Sequence, residues 1–144
     1  MKRFVCLFAL TALLLSACSS AEPVPTIPEK HFTQGIYQLT FNEKNLSNEG
    51  VGNDWVFTYT HQGQPIQSGY TITQDLGIFS FQSIDVEIRE KDKIDDVATG
   101  SLAVALCDGG SGKTQLTVTE TSSRYKGNAA IWEISCQVKL KEKR

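Results

Sequence analysis

The sequence predicts an all-β domain over residues 35–144, an antiparallel β-sandwich of about eight strands. Three observations carry this. Apolar and polar residues alternate with a period of two through most of that stretch. Groups of Gly, Pro, Asn and Asp interrupt the alternation at short intervals, and no ten-residue window has helical periodicity. A small closed barrel is the alternative way of burying the same strands.

The strands follow in order. Tyr37, Leu39 and Phe41 alternate with Gln38 and Thr40, and Trp55, Phe57 and Tyr59 repeat the pattern beyond a polar loop. After the turn signal Gln62-Gly63-Gln64-Pro65, strands are expected over Ile66 to Thr73 and Gly77 to Phe81, parted by Asp75-Leu76-Gly77. Ile84, Val86 and Ile88 then alternate with Asp85, Glu87 and Arg89. Leu102, Val104 and Leu106 follow, then Leu116 and Val118 beyond Asp108-Gly109-Gly110-Ser111-Gly112. Past Lys126-Gly127-Asn128, the row Trp132, Ile134, Cys136, Val138, Leu140 is interleaved with Glu133, Ser135, Gln137 and Lys139. Such alternation marks strands with one buried face. About 110 residues suffice for one domain with its own core.

The chain before this domain has a different character. Lys2 and Arg3 precede an apolar run from Phe4 to Leu15. The run is too short to cross a bilayer, which takes about 20 residues, and has the layout of a secretory signal peptide. Leu15-Ser16-Ala17-Cys18 then resembles the lipobox of bacterial lipoproteins. The resemblance implies cleavage after residue 17 and attachment of lipid to the Cys18 thiol. Palmitate-type acyl chains would then hold the mature protein on an extracytoplasmic membrane face. Ser19, rather than Asp, follows the cysteine, which implies the outer membrane where a cell has two, and otherwise the outer face of the cell membrane. Residues 18–34 read as the lipidated cysteine and an extended tether, because Pro23, Pro25 and Pro28 oppose helix and central strand.

Charge and cysteines narrow the function classes. Lys2 and Arg3 are the only charges before Ser19, so 12 basic and 16 acidic residues remain beyond it, a formal −4. No clustered basic surface for nucleic acid is indicated. Of the four cysteines, Cys6 departs with the signal peptide and Cys18 carries lipid. Cys107 and Cys136 remain, and in an oxidising compartment they read as one disulfide closing a loop of about 30 residues. The chain-entropy model gives such a bridge about 3–4 kcal/mol.

Cys107-Asp108-Gly109-Gly110-Ser111-Gly112-Lys113-Thr114 has a P-loop-like ending, but a phosphate cradle needs a helix after its Lys-Thr and here a strand follows. It reads as a glycine-rich hairpin turn. His31 and His61 are the only histidines, both expected in exposed loops, with no Ser or Cys partner placed by the sequence. A catalytic residue set is not legible, and the domain reads as a non-enzymatic module.

The acidic loop stands apart. Glu90-Lys91-Asp92-Lys93-Ile94-Asp95-Asp96 places four carboxylates within seven residues. Hard oxygen ligands at alternate loop positions suit Ca²⁺, while Lys91 and Lys93 allow a merely solvated turn. With the polar loop Asn45-Leu46 through Gly52-Asn53-Asp54-Trp55-Val56, this pattern resembles the calcium-dependent lipid-binding β-sandwich, the C2-like domain; an immunoglobulin-like sandwich is the other form. The C2 resemblance implies a weak Ca²⁺ site drawn from Asp54, Glu90, Asp92 and Asp96. It departs from that pattern at Ser47 or Asn48, where a further Asp is usual, and at Glu90, which replaces an Asp. The implied partners are the membrane, through the N-terminal lipid, and a phospholipid surface or envelope protein. The metal-free alternative is an envelope-enzyme inhibitor or an accessory subunit of an envelope complex.

Overall fold

A computed structural model describes residues 31–92, 94–122 and 124–144. The signal peptide, Cys18 and the tether as far as Lys30 lie outside the described residues. Among the described residues, eight strands form two antiparallel four-stranded sheets packed face to face, a β-sandwich. The first sheet has the order β4-β1-β8-β7, from β1 (Gln34–Asn48), β4 (Thr71–Asp75), β7 (Ser111–Thr119) and β8 (Ala129–Lys143). The second has the order β3-β2-β5-β6, from β2 (Trp55–His61), β3 (Gln64–Ile66), β5 (Phe81–Glu90) and β6 (Asp96–Ala105).

The alternation explains which face each strand buries. Tyr37, Leu39 and Phe41 of β1 stand opposite Leu140, Val138 and Cys136 of β8, and Ile134 continues that row inward. Against them lie Ile84, Val86 and Ile88 of β5 and Leu102 and Val104 of β6. At about 25 cal/mol per Å² of apolar surface removed from water, this single cluster is the main force holding the sheets together. Phe41 and Tyr59 stack across the sheets with centroids 4.1 Å apart, and Trp132 takes Trp55 and Phe57 edge-on.

Two expectations are revised. The stretch from Ile66 to Phe81 holds no strand over Ile66–Thr73 or Gly77–Phe81. Ile66 ends β3 in one sheet, Thr71 starts β4 in the other, and residues 76–80 form a turn with Gly77 at φ 86°. The glycine-rich stretch is a corner between sheets rather than a hairpin, since β6 and β7 belong to different sheets. A Cβ on Gly110 would stand 2.1 Å from the Ala105 carbonyl oxygen, and one on Gly112 would stand 2.2 Å from that of Ala103. The glycines let the departing strand pass that closely.

Candidate functional site

The connections divide between the two ends of the sandwich. One end holds the β1–β2 loop (residues 49–54), the β5–β6 loop (91–95) and the β7–β8 loop (120–128). The other holds the entry at His31–Thr33, the 76–80 turn, the 106–110 corner and the terminal Arg144.

The first end gathers the acids. Glu90 and Asp96 close the β5–β6 hairpin as a register pair, and both are buried. A third buried carboxylate, Glu120, is the first residue after β7. Each of the three has one oxygen without a hydrogen-bond partner: Glu90 Oε2, Asp96 Oδ2 and Glu120 Oε1. Buried polar atoms are normally satisfied, so three such oxygens at one end are unusual.

Their remaining contacts are specific. The Glu90 carboxylate accepts backbone N–H groups of Asp54 and Asn53. It lies directly over Gly52, where a Cβ would stand 1.6 Å from Glu90 Oε1, so no side chain fits at that position without displacing the acid. Val51, fully buried, plugs the same end, and Asn48 Oδ1 accepts its N–H at 2.8 Å. Asp96 Oδ1 accepts the Thr121 N–H at 3.0 Å and the Thr121 hydroxyl. Burial pushes the Glu90 carboxyl above its ordinary value. The two N–H donors oppose this, and the charges of Asp92 and Glu120 add to it.

Of the four acids expected to ligate Ca²⁺, Glu90 and Asp96 thus come together. Asp54 contributes its backbone: its carboxylate is exposed, and its carbonyl accepts the Lys91 N–H at 2.8 Å. Asp92 is exposed and accepts the Ile94 N–H at 2.6 Å, an Asx turn that shapes the loop. Asp95 pairs with Arg89 at 3.0 Å. Among the described residues no group of three or more His, Cys, Asp or Glu side chains is arranged to hold a metal ion.

Glu120 was missed, although a signal existed. Glu90, Asp96 and Glu120 each extend the inward parity of their strand: Ile84-Val86-Ile88-Glu90, Asp96-Ala98-Gly100-Leu102 and Leu116-Val118-Glu120. Parity also corrects His61, which was expected in an exposed loop. It continues the row Trp55-Phe57-Tyr59, is buried, and lies 3.2 Å from Gln82 Oε1 and 3.5 Å from the Tyr70 hydroxyl. His31 is exposed.

The expected Cys107–Cys136 bridge is not formed in this structure, where both thiols are free. Gly109 and Gly110 bond to Val138, so Cys107 has already turned past that level, while Cys136 points into the core opposite Phe41 and Gly112. Burial pushes the Cys136 thiol up to about 11.

A shallow depression of about 460 Å³ of mixed polar and apolar lining lies over β2, β5 and β6, among Thr58, Thr60, Asp85, Val86, Glu87 and Ser101. Comparison of the chain with protein-family models, curated proteins and solved structures finds no match.

Proposed function

We propose that the chain is the precursor of a lipid-anchored, extracytoplasmic protein whose β-sandwich is a non-enzymatic binding module, with its ligand end at the buried acids. Basic start, short apolar run, Leu15-Ser16-Ala17-Cys18 and a proline-rich stretch, in that order, support the anchor. The observation that carries the binding role is the trio Glu90, Asp96 and Glu120, each with a buried oxygen that no protein donor meets. Such oxygens call for protons or for a small cation from outside the chain.

Ca²⁺, a hard ion with a preference for carboxylate oxygen, fits that chemistry. As arranged, the acids do not enclose an ion, so the exposed Asp54 and Asp92 must swing inward to complete a site. That rearrangement favours the weak extracellular class of affinity, about 10⁻⁴ to 10⁻³ M. Binding to the folded state alone would raise the melting temperature with the logarithm of the Ca²⁺ concentration. The test is thermal melting in millimolar Ca²⁺ against a Mg²⁺ control, with Asp96→Asn as the variant that loses the response. A curve unmoved by Ca²⁺ removes the cation and leaves the metal-free reading, a protein-interaction lipoprotein that inhibits an envelope enzyme or belongs to an envelope complex.

A further inference from the structure

Both ends of the sandwich expose apolar side chains, Leu46, Ile94, Val97 and Tyr125 at the acid end, but the two most exposed among the described residues are neighbours at the opposite end. Ile78 is 54% exposed, and Phe79 and Phe81 are each 64% exposed. The two phenylalanines meet edge-to-face, centroids 5.1 Å apart, and so form one patch. Their loop is built to hold them outward. Gly77 turns the chain at φ 86°, the Gln74 side-chain amide donates to the Ile78 carbonyl at 2.6 Å, and the Leu106 N–H donates to the Ser80 carbonyl at 2.8 Å.

The chain enters the domain at this same end. Thr33 donates its N–H to the Arg144 carbonyl and accepts the Leu76 N–H, both at 2.8 Å. The entry, the apolar loop and the C-terminus are therefore hydrogen-bonded to one another. Twelve residues, Ser19 to Lys30, separate Cys18 from the described domain. Fully extended they reach about 40 Å, at roughly 3.3–3.6 Å per residue. The 15-residue strands β1 and β8 are about 50 Å long, at roughly 3.3 Å per residue. A tether of that reach, joined at the entry end, holds this end nearer than the acid end to the surface that carries Cys18 unless it is almost fully extended.

Charge points the same way. Lys139, Lys141, Lys143 and Arg144 are exposed along the last residues of β8, with Asp75, Asp108 and Glu142 as the acids nearby. The far end exposes Glu49, Asp54, Asp92 and Asp95, with Lys91, Arg124 and Lys126 among them. The entry end thus exposes four bases against three acids while the far end is close to balance, so an anionic bilayer draws the entry end somewhat more strongly, within about a Debye length of 8–10 Å. Aromatic rings beside basic side chains suit the interfacial layer of a membrane.

We infer that the entry end of the sandwich docks on the lipid surface, with Ile78, Phe79 and Phe81 seated in its interfacial layer, which fixes the domain upright and turns the acid end away. The inference rests on the lipid-anchor reading. Its test uses the full mature chain, checked for fatty-acid label on Cys18, in vesicles of phosphatidylcholine and phosphatidylglycerol whose acyl chains carry bromine. Phe79→Trp at the entry end is compared with Ile94→Trp at the acid end, after subtracting the half-buried Trp55 and Trp132. The expected result is a blue-shifted added emission for Phe79→Trp that bromine quenches by about twofold or more, with none for Ile94→Trp, as for a ring within the interfacial layer. Equal quenching or none, in chain that carries the label, overturns the docking and leaves the anchor. So does a concentration-dependent dimer that Phe79→Asp dissolves, which assigns the patch to a second copy. A chain without label overturns both.

Discussion

Glu90 sits one step beyond Ile84, Val86 and Ile88 on the inward row of β5, and its titration follows from that place. Burial, aided by the charges of Asp92 and Glu120, raises its folded-state pKa despite the N–H groups of Asp54 and Asn53. A raised carboxyl binds its proton more tightly when folded than unfolded. Its stabilisation is therefore complete below the ordinary carboxylate range and is lost as pH rises through the folded value. The melting temperature should rise as pH falls from neutrality towards the ordinary carboxylate range. Glu90→Gln retains an acceptor for the two N–H groups and removes the charge. It should raise the melting temperature at pH 7 by about 4–8 °C for each kcal/mol gained and flatten the mild-acid slope. Melting curves for both proteins across that range check this. An unchanged slope would show that Glu90 is not the titrating group.

At the scale of elements, two glycines separate steric from conformational causes. Gly110 has no room, since its Cβ would stand 2.1 Å from a carbonyl oxygen, whereas Gly63 has open space but lies at φ 76°. Gly63→Ala should cost about 1–2 kcal/mol, the left-handed penalty of an L side chain. Gly110→Ala should cost more, about 2–3 kcal/mol or above, because the backbone must shift at the corner between the sheets. Denaturant midpoints for the pair measure the difference, and equal costs would contradict the steric account. The same elements show what was legible. Strands of seven or more residues, such as β5 and β8, could be read directly, because one buried face imposes the period. The three residues of β3 and five of β4 are too short to impose it. Which strands pair is set by contacts distant in sequence, as in β1 with β8, and no local pattern records them. The acid end was legible in part: the charge run drew notice to Glu90 and Asp96, while Glu120 required its strand parity to be carried one step past Val118.

At the scale of the whole molecule, the two ends differ: one holds the three buried acids, and the other the exposed Phe79–Phe81 pair beside the basic last residues of β8. That polarity gains meaning from an anchor, because an untethered domain would have no fixed near end and far end. The account therefore turns on Cys18. Two or more acyl chains, at about 0.8 kcal/mol per buried methylene, hold a protein on a membrane durably, and one does so only marginally. The measurement is metabolic labelling of the full-length chain with a radioactive fatty acid, beside the Cys18→Ala variant. The account predicts label in the membrane fraction for the parent and none for the variant. Label that persists in Cys18→Ala, or a parent chain that takes up none, would contradict it.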